Sequence, residues 1–509
     1  MHVTASTPTA GTQAPRAGAR AWAALAVLML PVLLVSVDNT VLSFALPEIS
    51  LALAPSGAEQ LWIIDVYPLV LAGLLVTMGN LGDRFGRRRM LLIGATGFAA
   101  ISALAAFAPT AALLIAARAL LGFFGAMLMP STLSLLRSIF TNRDQRRLAI
   151  AVWASAFSAG SALGPIVGGF LIEHFAWGSV FLIAVPVLIP LLIGAPLLVP
   201  ESRDPNPGRV DPVSILLSMA AMIPVVYAIK SFAVDGPTVL GAAWALLGIV
   251  MGALFVRRQL RADIPMLDMA LFRRGGFSGA ILVNLFSVVA LVGFLYYVSQ
   301  HLQLVLGLAP MVAGLALVPG MAAMIVSGLA IVPISRRVSP HILIPAALVF
   351  SVGGYLLVAF AGEHIVALIL AFVALGIGIG AAETISNELI LANAPAEKAG
   401  AASAVSETAY ELGAVLGTAI LGGIITAFYR GALVLPAGLD AGAADAARET
   451  LAGAYTVSHD LAEPLSGQIW QAAVAAFESG VGVTSLIGAG LVVLAALIAL
   501  VTLRTSPRS

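Results

Sequence analysis

The sequence contains no cysteine, and only 10% of its 509 residues are charged. The missing thiol excludes disulfide bonds, a thiolate nucleophile and cysteine-ligated metal sites. A soluble protein of this size would carry about 25% charged residues, so the low charge excludes that class. The net charge of +1 gives no sign of a nucleic-acid partner. Neither a metal-ligand spacing among the histidines nor a phosphate-binding Gly-x-x-x-x-Gly-Lys loop is present.

Hydrophobic residues make up 60% of the chain, and its mean hydropathy is +1.03. A helix needs about 20 apolar residues to cross a bilayer. The sequence contains fourteen such runs, at 22–46, 60–80, 89–109, 112–136, 147–172, 178–200, 213–231, 238–256, 276–300, 311–333, 341–360, 364–392, 401–428 and 480–503. We therefore predict an all-α integral membrane protein with fourteen transmembrane helices.

Most of the 26 basic residues lie in alternate segments between these runs, which predicts that those segments face the cytoplasm. Both termini then lie in the cytoplasm. Lys230, Arg430 and Arg448 are left for the outer loops, and Arg118 lies inside a span. The first run is longer than the core of a signal peptide, which is about 7–15 residues, so we predict an uncleaved first span.

Two sequence patterns recur after a shift of eight spans. One is the segment 79–88, which returns at 328–337, and the other is a run of glycines in the fifth span, which returns in the thirteenth. The repeat predicts a 1–21 tail, a 22–200 six-helix bundle, a 201–275 linker with two inserted helices, a 276–503 six-helix bundle and a 504–509 tail. The outer loop 429–479 is interpreted as a solvated loop or as a substrate funnel.

Four motifs resemble signatures of the major facilitator superfamily. They are the loop Gly79, Asp83, Arg84, Gly86, Arg87 and Arg88; Arg118 with Gly122; Gly160, Gly164, Pro165, Gly168 and Gly169; and Asp38 through Pro47. Together with fourteen spans, the chain resembles the fourteen-helix drug:proton antiporters, bacterial exporters of quaternary ammonium compounds, dyes and fluoroquinolones. The resemblance implies a monomer in the bacterial cytoplasmic (inner) membrane that uses the proton gradient, needs no cofactor and is not an enzyme.

Ionisable groups inside spans are costly and mark candidate functional sites. Asp38, Asp65 and Arg118 are predicted to lie at one depth in the N-terminal half. An Asp–Arg pair there would lose its attraction when the aspartate binds a proton, as a proton switch requires. The alternative is a static ion pair that fixes helix packing.

Glu407 and Glu411 are four residues apart and share one face of the thirteenth span. Two carboxylates so near each other resist joint ionisation, which suits proton carriage and attraction of a cationic drug. The resemblance implies coupling or substrate sites at these positions. A structural pairing with neighbours such as Tyr410 is the alternative. Glu383 in the twelfth span is a further candidate.

Other residues are assigned supporting roles. We expect cavity aromatics that stack on a lipophilic cation, namely Tyr67, Phe157, Phe294, Tyr297 and Tyr410. The resemblance implies that the 79–88 loop latches the outward-facing state, and we expect Arg84, Arg87 and Arg88 to pair across the interface between the halves. The fifth-span glycines would allow close helix packing, and Pro165 would bend the helix.

The sequence thus predicts a proton-coupled exporter of small lipophilic cations that works by alternating access. An importer or narrow exporter of a small metabolite is the nearest alternative, although an importer of anions would favour more buried basic residues than Arg118 alone. A non-transporting membrane sensor or scaffold would not need an interior lined with acids.

Overall fold

The computed structural model describes residues 17–203, 211–262, 265, 267, 269–361, 364–394, 399–462 and 464–504. Within these residues the chain is helical and contains no strand. The helices are α1 (Ala19–Leu53), α2 (Gly57–Phe85), α3 (Arg87–Ala105), α4 (Ala111–Ile139), α5 (Arg143–His174), α6 (Ser179–Leu182), α7 (Ala184–Leu198), α8 (Pro212–Asp235), α9 (Val239–Arg261), α10 (Met269–Phe272), α11 (Gly275–Gln300), α12 (Pro310–Ser335), α13 (Pro340–Ala361), α14 (Ile365–Ala392), α15 (Ala399–Leu416), α16 (Gly423–Ala432), α17 (Ala441–Glu449), α18 (Leu451–His459) and α19 (Leu465–Thr502).

Two π-helical segments lie in the described part of the C-terminal half. α11 continues into the first, at His301–Val305. The second, Gly417–Gly422, joins α15 to α16 within one span. Because π-helical turns are rare and frequently occur at functional sites, the second segment is a notable feature of the thirteenth span.

Thirteen helical stretches of the described chain are long and apolar enough to cross a membrane. In this count α6 and α7 together form one span, and α15, the second π-helical segment and α16 together form another. α5, with 32 residues, is the remaining long helix and packs between α1 and α12. The architecture is therefore consistent with the fourteen predicted transmembrane helices.

The long helices form two bundles. In the N-terminal one α1 packs on α5 and α7, while α4 packs on α2 and α3. In the C-terminal one α14 packs on α11, α12 and α13, and α19 packs on α11 and α13. The bundles meet where α5 contacts α12 and where α2 contacts α15. We call the side with residues 83–89 the inner side, as the charges predict, and the opposite side the outer side.

The inserted helices α8 and α9 pack on each other as a hairpin. α8 also contacts α2 of the N-terminal half and both α16 and the second π-helical segment of the C-terminal half. A small apolar cluster of Leu69, Val226, Val415 and Ala419 fills this junction. The hairpin therefore lies over the seam between the two halves.

The structure corrects the predicted loop at 429–479. The last span begins at Leu465 instead of residue 480, and two short helices, α17 and α18, occupy part of the remaining loop. In the added stretch, Ile469, Ala473, Ala476 and Phe477 form one buried helix face, but intervening polar residues dilute its hydropathy. Tyr429 donates a hydrogen bond to the carbonyl oxygen of Ala447 at 2.7 Å, so the loop is packed against the protein.

Candidate functional site: charged groups buried between the halves

Asp38 and Arg118 form a buried ion pair in the N-terminal half. The Nη1 atom of Arg118 lies 2.6 Å from Oδ2 of Asp38, and both side chains are nearly inaccessible. Arg118 also donates from Nε to the carbonyl oxygen of Ile63 at 3.2 Å. Its guanidinium lies 4.5 Å from the ring centroid of Tyr67. α1 and α4 thus bring together two residues that the sequence placed at one depth.

Asp65 pairs with a different cation. Oδ2 of Asp65 lies 2.9 Å from Nζ of Lys230, and the ammonium lies 3.8 Å from the ring centroid of Trp62. The assignment of Lys230 to an outer loop was wrong, because α8 extends to Asp235 and buries this side chain. The sequence did carry a signal for a buried Lys230, namely a lone lysine at the end of an apolar run. A lone basic residue in an apolar run is also what singled out Arg118.

The carboxylates of α15 lie opposite the Asp38–Arg118 pair. Asn39 donates from Nδ2 to Oε1 of Glu411 at 3.4 Å, a contact that joins α1 to α15. Glu411 is buried, and its Oε2 atom has no hydrogen-bond partner among the described residues. Glu411 lies within electrostatic range of Glu407, Asp38 and Arg118. Charged groups from both halves therefore act on one another.

Tyr410 and Glu383 extend this acidic group within the C-terminal half. Tyr410 lies within electrostatic range of Glu383, Glu407 and Glu411. The Oε1 atom of Glu383 is buried and has no hydrogen-bond partner in the described part of the chain. Glu388, one turn further along α14, is exposed. The acids at 383, 407 and 411 can therefore bind protons or a cation as a connected set.

The predicted cavity aromatics separate into two groups. Tyr67 contacts Arg118, and Tyr410 lies among the acids, so both belong to the site. Phe294 and Tyr297, by contrast, are buried within the C-terminal bundle, where Phe294 stacks on Phe372 at a centroid distance of 5.0 Å. Packing within their own half surrounds these rings, and their expected role as cavity lining stays a prediction. The side chain of Phe157 lies outside the described residues.

The 79–88 loop makes contacts within itself, with the end of α7 and with the residues that follow α7. Arg87 pairs with Asp83 at 2.7 Å and donates from Nη1 to Oγ of Ser202 at 3.1 Å. Arg88 donates to the carbonyl oxygen of Val199, at the end of α7, at 3.0 Å. The guanidinium of Arg84 lies over the ring of Phe85. None of these contacts reaches the other half in this structure, and the predicted pairing across the halves stays a prediction.

Two glycines of this loop differ in the space around them. Gly86 has a φ of +114°, a backbone conformation that favours glycine. A side chain there would also meet the carboxyl group of Glu201 at 2.8 Å. A Cβ atom at Gly79 would lie 3.5 Å from Pro130 on α4, an ordinary contact.

The glycines of α5 face two different helices. A Cβ atom at Gly160, Gly164 or Gly168 would collide with α1, at Gly164 with Thr40. At Gly169 it would meet the carbonyl oxygen of Pro310 on α12 at 2.6 Å. The carbonyl group of Pro165 lies against Gly314 of the same helix. α5 is thus closely packed against both halves.

Comparisons with known proteins agree with this architecture. Residues 28–418 match the family model described as Major Facilitator Superfamily. The multidrug efflux pump LfrA of Mycolicibacterium smegmatis is 57% identical over 491 residues, which cover 96% of this chain and 97% of that protein. The methyl viologen resistance protein SmvA of Salmonella typhimurium is 36% identical, with 91% of this chain and 96% of that protein covered.

Two further relatives extend the comparison. The tetracenomycin C resistance and export protein of Streptomyces glaucescens is 32% identical, with 99% of this chain and 94% of that protein covered. A crystal structure of a bacterial homologue of the human lysosomal transporter Spinster, in an inward-facing and occupied conformation, shares the fold with a TM-score of 0.64, at 16% identity and with 94% of this chain and 96% of that chain covered. With the family model and the 57% identical relative both spanning most of the sequence, the chain belongs to the Major Facilitator Superfamily.

Proposed function

We propose that the protein is a proton-coupled multidrug efflux antiporter that exports lipophilic cations by alternating access. The observation that carries the proposal is the buried contact between the halves, in which Asn39 and Glu411 join the Asp38–Arg118 pair to the acids of α15. A site divided between two bundles changes whenever the bundles move. Transport and protonation can therefore be coupled there.

Proton exchange would act through the charge of these acids. With Asp38 ionised, Arg118 is held at 2.6 Å, and Glu411 faces the same pair from the other half. Protons that arrive from the outer side neutralise Asp38 and the Glu407–Glu411 pair, which weakens their attraction for a cationic drug. The drug leaves outward, the halves rock, and the protons leave to the cytoplasm. In this scheme the proton and the drug compete for the same carboxylates.

The contacts between the halves on the outer side support an inward-open state. Glu449 accepts a hydrogen bond from the backbone amide of Gly57 at 2.9 Å. Gln303 donates to the carbonyl oxygen of Phe44 at 3.1 Å, and Glu173 accepts from the amide of Met311 at 3.2 Å. On the inner side, Arg87 and Arg88 of the 79–88 loop bind Ser202 and the end of α7 instead of the C-terminal half. This arrangement fits a released latch.

The relatives support the substrate class. Their names record multidrug efflux, resistance to methyl viologen and export of tetracenomycin C. Methyl viologen is an organic dication, which suits an interior with several buried carboxylates. An importer of small anions is disfavoured, because acids outnumber bases among the charged groups buried near Glu411. We place the protein as a monomer in the bacterial cytoplasmic membrane, with both termini in the cytoplasm.

Ethidium efflux from energised cells tests the proposal. We expect efflux by the wild-type chain that a protonophore stops and that Asp38→Asn abolishes. Glu388→Gln, which neutralises an exposed carboxylate on α14, is the matched control and should retain efflux. If cells with confirmed membrane expression of the wild-type chain show no efflux, the export function is wrong.

A further inference from the structure

Asp65, Trp62 and Lys230 form a compact cation site at the seam between the halves. The Nζ atom of Lys230 lies 2.9 Å from Asp65 and 3.8 Å from the ring centroid of Trp62. The side chain of Lys230 is 2% exposed and that of Asp65 is 0% exposed. We call the carboxylate and indole together the Asp65–Trp62 seat.

The seat receives its cation from outside the two bundles. Asp65 and Trp62 belong to α2, whereas Lys230 belongs to α8 of the inserted hairpin. Thr418 of the second π-helical segment faces Asp65 from the C-terminal half, and Arg118 and Tyr296 lie within electrostatic range of it. The seat is thus bordered by the N-terminal half, the C-terminal half and the hairpin.

The chemistry of the seat suits an organic cation. An aromatic ring face attracts ammonium groups, and a carboxylate in the same place supplies the opposite charge. Removing one partner from a buried ion pair leaves an uncompensated charge, which is strongly unfavourable. A ligand cation that entered the seat as Lys230 left would keep Asp65 paired.

We propose that Lys230 is a specificity-determining residue, a tethered cation that occupies the Asp65–Trp62 seat and competes with the positive charges of substrates for it. The proposal rests on the proposed export of cations and adds a role for the inserted hairpin. While Lys230 fills the seat, the acids around Glu411 can pair with only one positive charge of a substrate. When Lys230 is removed, the carboxylate of Asp65 can pair with a second positive charge of the substrate, and a dication gains more from this than a monocation does.

Equilibrium binding to purified protein without a proton gradient tests this role. The probes are methyl viologen, a dication, and tetraphenylphosphonium, a monocation. Lys230→Gln should tighten methyl viologen binding about tenfold, as removal of one like charge from a partly screened site predicts, and tetraphenylphosphonium binding less than about threefold. Lys230→Arg keeps the charge and should leave the ratio of the two affinities unchanged. In the Lys230→Gln background, Trp62→Leu should lower the ratio of methyl viologen affinity to tetraphenylphosphonium affinity again.

Two further variants separate this effect from a structural one. Asp65→Asn with Lys230→Gln removes both charges and should return the affinity ratio to the wild-type value. Arg257→Gln removes an exposed charge from the same hairpin and should not change the ratio. A merely structural lysine would change both affinities in the same direction and leave their ratio constant.

The outcome is decisive even if Lys230→Gln is unstable. Methyl viologen should then raise its unfolding temperature, and tetraphenylphosphonium should raise it less, because the dication can pair with Asp65 and with the acids around Glu411 at once. Failure of methyl viologen to stabilise it would overturn the role of Lys230. Wild-type binding of both probes with an unchanged ratio in a folded Lys230→Gln variant overturns this inference alone. Absence of binding by the wild type contradicts the proposed substrate class instead.

Discussion

At the scale of single residues, the buried pairs are stabilising only while they are complete. Removing a charge from water costs several kcal/mol, and a close partner of opposite sign offsets that cost. Arg118 has three such interactions, with Asp38, with the carbonyl oxygen of Ile63 and with the ring of Tyr67. A static role in packing and a role in coupling therefore predict different consequences of neutralising both partners together.

Arg118→Gln leaves Asp38 buried without its cation. We expect a loss of about 3–5 kcal/mol in the free energy of unfolding. Adding Asp38→Asn should recover most of this stability without restoring efflux. Thermal unfolding in detergent and efflux in cells measure the two effects. Arg430→Gln, in a partly exposed pair with Glu449 at 3.5 Å, is the control and should cost less than about 1 kcal/mol. If the double variant recovered full efflux, the pair would have only a structural role.

At the scale of elements, α5 packs closely on helices of both halves. Its glycines at 160, 164 and 168 remove side chains from the surface that meets α1, and Gly169 does so where α5 meets α12. Small residues at such positions let helix backbones approach closely. The glycine pattern recurs in the C-terminal half, where Gly413 and Gly417 likewise allow a close approach, here to α11.

Gly164→Val should disrupt the packing of α5 on α1. The new side chain overlaps Thr40, and we expect a cost of about 1–3 kcal/mol together with a loss of efflux. Thr40→Ala in the same chain should restore part of both, since it removes the nearest atom. Gly353→Val is the matched control, because a Cβ atom there has open space around it. Equal losses in the two glycine variants would contradict the specific contact.

The helices and this packing pattern could be predicted because both depend on local sequence. Apolar runs fix the spans, and the spacing of Gly160, Gly164 and Gly168 places them on neighbouring turns. The partner of Asp65 could not be predicted from the sequence, because it depends on where α8 packs against α2. The start of α19 was also misplaced, since its first turns bury one face while the other carries polar residues.

At the scale of the whole molecule, the outer contacts define the conformation that we infer to be inward-open. Glu173 of α5 and Met311 of α12 meet there, beside the close approach at Gly169. The natural chain has no cysteine, so an introduced pair reacts without background.

Glu173→Cys with Met311→Cys should allow a short reducible cross-linker to join α5 and α12 across the outer side. We expect the cross-link to form without substrate and to stop efflux until it is reduced, because the halves can no longer separate there. Each single variant, treated in the same way, should retain efflux. Full transport by the cross-linked protein would show that this contact does not open during the cycle.

Drug-dependent proton movement in proteoliposomes tests the central claim most directly. A concentration gradient imposed on ethidium drives it across the membrane of the vesicles, which contain a pH-sensitive dye. Purified wild-type protein should move protons in the direction opposite to this flow of ethidium. Asp38→Asn should abolish that coupled movement, whereas Glu388→Gln should not. Ethidium transport by the wild type with no proton movement, or equal proton movement by Asp38→Asn, would contradict the account.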